Sequence, residues 1–154
     1  MIVFIISALI LALDQLSKFL INLNFLPGQS YPVIRNVFHL TLVHNTGAAF
    51  GLFAGKAVFF ILISVTAIIL ILVALKKTAG GSALLKVGLA MILGGAIGNL
   101  IDRVRLGFVV DFLDFRIWPV FNLADTTITL GAGLLAVYIF RRKGEPNSLP
   151  DRPA

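Results

Sequence analysis

Residues Ala57 to Leu75 read AVFFILISVTAIILILVAL, and this stretch decides the fold class. It holds no charge and no proline, and its polar side chains are two hydroxyls, Ser64 and Thr66. An α-helix rises 1.5 Å per residue, so roughly 20 residues cross the ~30 Å hydrocarbon core of a bilayer. Working outward, three more apolar runs have the required length: about 2–23, 83–103 and 122–142, again without an internal proline. Of the 154 residues, 58% belong to the set AVILMFWYC and 13% are charged, whereas soluble domains carry about 25% charged residues. A soluble domain of this size buries too little surface to hide so much apolar material. The absence of cysteine excludes a disulfide-stapled secreted scaffold. The expectation is an all-α membrane protein with four transmembrane helices in a single domain, residues 1–143.

The first run follows Met1 directly and is interrupted by Asp14. It lacks the basic start of a signal peptide, so it is expected to stay as a helix. The net charge of +6 would suggest nucleic acid in a soluble protein. Here the basic residues sit at the ends of apolar runs, with no basic stripe of interleaved aromatics, and no nucleic-acid partner is expected. Lys76, Lys77 and Lys86 flank the second loop, and Arg141, Arg142 and Lys143 follow the last run. Arg35, Lys56, Arg105 and Arg116 are spread over the longer segments 24–56 and 104–121. The denser clusters should face the cytoplasm. Both termini then lie inside, residues 144–154 form a disordered cytoplasmic tail, and the two longer segments lie outside. In the first, Phe38-His39-Leu40-Thr41-Leu42 alternates apolar and polar, as a half-buried strand does. In the second, the aromatics suit the headgroup layer.

The acids are informative because they are scarce. Glu145 and Asp151 fall in the tail, leaving Asp14, Asp102, Asp111, Asp114 and Asp125. An ionisable group in or beside a membrane span marks a functional site by default. Asp14 lies about 12 residues into a span running outward, roughly 18 Å along it. Asp102 ends the third span and Asp125 begins the fourth, both on the outer side. All five acids therefore gather at one face. Asp14 and Lys18 stand four apart and can pair, and Asp102 has Arg103 beside it, so ion pairing is an equally good account of these two acids. Asn122 and Asp125, three apart, can be an interfacial cap. Asp111 and Asp125 have no equally near basic partner, and sequence alone does not choose between Asp111 and Asp114.

Without cysteine there is no thiol nucleophile or thiolate metal site. His39 and His44, five apart, would point to opposite faces of a strand. Ser17 and Lys18 do not face each other on a helix, and Ser82 with Lys86 lies on the far side. What remains is a pair of aspartates sharing one proton, able to activate water and protonate a carbonyl without metal or cofactor. A proton or cation relay in a small transporter would use the same residue type, but these acids do not line a path across. Gly94 and Gly98 have the small-xxx-small spacing of close helix packing.

Five blocks in order resemble the bacterial lipoprotein signal peptidases, or signal peptidase II: Asp14-Gln15-Leu16-Ser17-Lys18, Asn45-Thr46-Gly47-Ala48-Ala49-Phe50-Gly51, Gly94 to Arg103, Val109-Val110-Asp111-Phe112, and Phe121-Asn122-Leu123-Ala124-Asp125. The resemblance covers nearly the whole chain to Arg142. It implies a membrane-embedded aspartic endopeptidase of the bacterial cytoplasmic membrane, its active site at the extracytoplasmic face. Its substrates would be prolipoproteins with a diacylglyceryl group on a cysteine, cut just before that cysteine. It assigns Asp111 and Asp125 as the catalytic pair. Asn45, Gly47, Asn99, Arg103 and Asn122 would hold substrate backbone or orient the pair, and Asp14, Lys18 and Asp102 would give structural support. It also implies a small extracytoplasmic β-platform between helices 1 and 2, sensitivity to globomycin-type inhibitors, contact with membrane lipids, and a monomer.

Overall fold

In a bilayer, apolar faces can look outward to lipid, while small and polar residues gather where helices meet. The computed structural model of the chain, which describes residues 1–47, 55–77 and 82–143, has this distribution. Helices α1 (Ile2–Asn24), α2 (Ala57–Lys77), α3 (Ala83–Leu106) and α4 (Leu123–Lys143) are each long and apolar enough to cross a membrane, and the protein is a multi-pass membrane protein. The expected tail at 144–154 and residues Ala48–Gly51 of the second block lie outside the described residues.

α3 is the hub, packed against the other three helices. Its buried positions are largely small: Gly88, Ala90, Gly94, Gly95, Ala96 and Gly98. A Cβ on Gly94 would sit 2.8 Å from the Ser7 carbonyl oxygen of α1, and one on Gly95 would sit 2.6 Å from the Ala124 carbonyl oxygen of α4. Neither gap admits a methyl group, so both contacts require glycine. α2 is the opposite case. It is the most apolar of the four, and Ile71 is its buried residue. α1 buries Val3, Ser7, Asp14, Lys18 and Ile21, spaced by three, four or seven residues and so on one face. Up to its last turn, where Asn22 and Asn24 are exposed, α1 thus keeps its polar groups off an outer side that is apolar.

A three-stranded antiparallel sheet caps one end of the bundle, with β1 (Ser30–Ile34), β2 (Phe38–Asn45) and β3 (Val109–Asp114) in spatial order β1-β2-β3. The β1–β2 pair lies between α1 and α2. The third strand comes from the segment after α3, where the sequence offered only interfacial aromatics. β3 is buried along nearly its whole length, so it lacks the alternation that marks a half-buried strand. α3 also runs to Leu106, past the expected end at 103. Gly107 stops it in a left-handed conformation (φ 80°), its N–H donating to the Arg103 carbonyl.

The β2–β3 register shifts between Leu40 and Val43. Leu40 faces Leu113, but Val43 faces Asp111, so β2 carries one extra residue there. Side chains alternate with period two, so one extra residue reverses every face beyond it. Asn45, opposite Val109, thereby joins the face of Asp111. His39, opposite Asp114, and His44, opposite Val110, share a face instead of pointing apart as expected. Beneath that other face Leu42, Val110 and Phe112 pack with Ile21 of α1.

Candidate active site

The start of α4 fixes the first part of the site. Asn122 caps the helix: its Oδ1 accepts the Asp125 N–H at 2.9 Å, and the Asp125 Oδ2 accepts the Asn122 N–H at 3.4 Å. This is a reciprocal capping box built from Asn and Asp three residues apart. The cap occupies the Oδ1 of Asn122 and leaves its amide nitrogen to donate elsewhere. It donates to Asp111 Oδ1 at 2.7 Å and to Asn99 Oδ1 at 3.1 Å. Asp111 Oδ2 accepts from Asn45 Nδ2 at 2.8 Å, and Asn45 Oδ1 accepts the Gly47 N–H at 2.9 Å. Asp125 Oδ1 accepts from Asn99 Nδ2 at 2.8 Å. Three asparagines therefore feed N–H donors to two carboxylates. Among the described residues, no ion pair reaches either one.

Behind this layer lies an ionic one. Lys18 Nζ stands 2.9 Å from Asp14 Oδ2, 2.9 Å from Asp102 Oδ2 and 2.9 Å from Asn99 Oδ1. An ammonium has three donors and no acceptor, so Lys18 is fully used. It also sets a direction: Asn99 must turn its oxygen toward Lys18, which leaves its NH₂ group for Asp125. Asp14 Oδ1 accepts the Ala124 N–H of α4 at 2.9 Å, and Asp102 Oδ2 accepts the Val110 N–H of β3 at 3.1 Å. The triad thus ties α1 and α3 to the two elements that carry Asp125 and Asp111. Asp102 is paired with Lys18 of α1 and not with its neighbour Arg103.

Asn45, Gly47, Asn99, Arg103, Asp111 and Asp125 line one cavity of about 290 Å³. Asn122 is fully buried and reaches the cavity through its hydrogen bond to Asp111. The Arg103 guanidinium lies over the Phe60 ring, 5.0 Å from its centroid. Burial, and then the charge of Asp125, push the Asp111 carboxyl up to about 7, against the hydrogen bonds from Asn45 and Asn122 and the charge of Lys18. Asp114 has the opposite balance. Burial opposes its ionisation, but hydrogen bonds from Thr41 Oγ1 (2.8 Å) and from the Arg116 backbone (2.8 Å) and guanidinium (3.1 Å) outweigh it and hold the carboxyl below its usual range. By register Asp114 also lies on the sheet face away from Asp111. Among the described residues no group of three or more His, Asp or Glu side chains is placed to hold a metal ion.

Three contributors escaped the sequence reading. Gln15 donates to Asp102 Oδ1 at 3.0 Å, Asp14 Oδ2 at 3.2 Å and the Gly98 carbonyl at 3.3 Å. Its polarity inside a span was the available signal. Phe60 and Trp118 line the cavity but are aromatic in apolar or interfacial stretches, where nothing separates a site residue from a lipid-facing one.

The family model described as signal peptidase (SPase) II matches residues 6–141. The lipoprotein signal peptidase of Moorella thermoacetica is 51% identical over 146 residues, covering 95% of this chain and 97% of that one. That of Halothermothrix orenii is 47% identical, over 92% and 97% of the two chains. A solved bacterial membrane enzyme superposes with a TM-score of 0.88 at 31% identity, covering 99% of this chain and 94% of the other. A second solved bacterial membrane enzyme gives 0.83 at 33% identity, over 90% and 92%. The chain therefore belongs to the signal peptidase II family, a family of peptidases acting on lipoprotein precursors.

Proposed function

We propose that the protein is an aspartic endopeptidase in which Asp111 and Asp125 share one proton and activate a water molecule. The observation that carries this reading is that both carboxylates line one cavity and are held by neutral amides. Amides satisfy the carboxylate oxygens without a fixed countercharge, so the pair can keep a proton near neutral pH. The ionised member takes a proton from water as it attacks the scissile carbonyl, and the protonated member donates to the carbonyl oxygen. Collapse of the tetrahedral adduct breaks the C–N bond and passes a proton to the departing amine. Arg103, steadied over Phe60 on the cavity wall, suits a carbonyl of the substrate backbone, as does the Gly47 segment.

The proposed substrate is a prolipoprotein with a diacylglyceryl group on its cysteine, cut on the amino side of that residue. The proposed setting is the bacterial cytoplasmic membrane, with both termini inside. The sheet, the cavity and the lipidated cysteine then lie at the outer face, near one depth. The decisive experiment uses purified protein in detergent with a diacylglyceryl-modified prolipoprotein. Cleavage before the cysteine should persist in EDTA and vanish in Asp111→Asn and in Asp125→Asn. Full activity in either variant, or equal cleavage of the unlipidated precursor, would overturn the proposal.

A further inference from the structure

A second cavity, of about 490 Å³, lies beside the first. The two share Asp125, Trp118 and Phe121 as lining, but Asp111 lines only the smaller one. One wall is α4, where Thr126, Thr129 and Leu130 follow Asp125 on one helix face and lead roughly 8 Å along the axis into the apolar span. The other wall belongs to residues 115–121. That wall is anchored to the sheet: the Phe121 carbonyl accepts the Phe112 and Leu113 N–H groups at 2.9 and 2.8 Å, and the Phe121 N–H donates to the Leu113 carbonyl at 3.1 Å. The Phe115 and Phe121 rings stack at 5.9 Å and 9°. At the mouth Ile117 is 93% exposed and Trp118 60% exposed, an apolar rim that suits a lipid boundary.

We infer that this groove seats an acyl chain of the substrate's diacylglyceryl group, and that Asp125 is the residue on the side of the departing amine. The inference rests on the function proposed above. In such a substrate the lipid and the departing amine belong to the same cysteine. A path for the acyl chain must therefore leave the reacting atoms on the amine side and run into apolar surroundings. The groove shares Asp125 with the cavity and runs along a membrane-crossing helix, meeting both demands. Asp111, held by Asn45 of the sheet, is then left on the carbonyl side. When the C–N bond breaks, the amine nitrogen takes its proton from Asp125, and the signal peptide leaves as a carboxylate.

An acyl chain entering the groove exchanges one apolar medium for another, so it gains little hydrophobic free energy. The groove acts by registration, setting the scissile bond against the pair, and a misplacement of about 1 Å costs on the order of 100-fold. Filling it with Thr129→Trp should lower the turnover of a diacylglyceryl substrate by 10- to 100-fold while changing KM less. The direct test is a substrate carrying a diazirine at the end of an acyl chain, irradiated with the Asp111→Asn protein in detergent. Label is expected in peptides containing 117–121 and 126–130, and excess unlabelled substrate should remove it. Label centred on Phe60, or spread over the outer faces of α1 and α2 like that from a diazirine phospholipid, would overturn the assignment. Wild-type cleavage of the same probe, run in parallel, separates the two ideas. Cleavage with misplaced label rejects the groove alone, and no cleavage rejects the function and the groove with it.

Discussion

Asp14 and Asp102 are each met by the Lys18 ammonium at 2.9 Å, whereas Asp111 and Asp125 are met by the amides of Asn45, Asn99 and Asn122. All four are aspartates in one connected network, and the partner decides what each can do. An ammonium between two buried carboxylates repays part of their lost hydration, so the first two acids serve as the structural partners of Lys18. A neutral amide satisfies the oxygens while leaving protonation open, so the second two can titrate. The layers meet at Asn99, whose oxygen faces Lys18 and whose nitrogen faces Asp125. Charge in one layer thus orients dipoles in the other.

The contrast breaks most sharply by substitution across the two layers. Asp111→Asn or Asp125→Asn should lower cleavage by about 10²–10⁴-fold, the span of a lost acid or base. Either should change the unfolding midpoint in detergent only modestly, since an amide of the same shape replaces the carboxyl and one amide-facing oxygen is lost. Lys18→Met should do the reverse. It leaves Asp14 and Asp102 buried without a countercharge, which costs about 3–5 kcal/mol, and thermal unfolding would register it as a large drop. An unchanged midpoint for Lys18→Met would end the distinction between the layers.

Protonation sharpens the same comparison. With Asp111 raised to about 7, the folded protein holds a proton that the unfolded chain, with its carboxyl near 3.8, releases earlier. Between about pH 4 and 7 the folded state therefore binds more protons, and stability falls as pH rises through that window and then levels. Asp111→Asn should remove this slope. If the proposed pair shares a proton, cleavage should decline above about pH 7 as that proton is lost. The Asn45 hydrogen bond favours the ionised form of Asp111, so Asn45→Leu should move that decline to higher pH.

Much of this was legible in the sequence, for a physical reason. A membrane span needs a long apolar run, so four were visible. Against such runs the five carboxylates stand out, but the choice of Asp111 over Asp114 and the roles of the asparagines came only from the resemblance to the signal peptidase II family. β3 was hidden because burial on both faces erases its alternation. The extra residue in β2 was hidden too, since register depends on the partner strand, yet it places Asn45 beside Asp111 and turns both histidines to one face. The pairing of Asp102 was misjudged because Arg103 is nearer in sequence, while Lys18 of α1 is nearer in space.

Asp114 supplies the smallest and most discriminating effect, being three residues from Asp111 and of the same chemistry. Its oxygens are taken by Thr41 and Arg116, and the Arg116 side chain is half exposed, so the pair contributes no more than about 1 kcal/mol. Asp114→Asn should leave cleavage nearly unchanged and lower stability only slightly. The pH dependence should also have the opposite sign. A carboxyl held below its usual range stabilises the fold above the unfolded value near 3.8, and that stability is lost as pH falls through the folded value. Removing Asp114 should thus soften acid denaturation below about pH 4, while removing Asp111 flattens the slope above it. If the two variants instead gave the same profile, the two faces of β3 would not be the electrostatically separate environments that their partners make them.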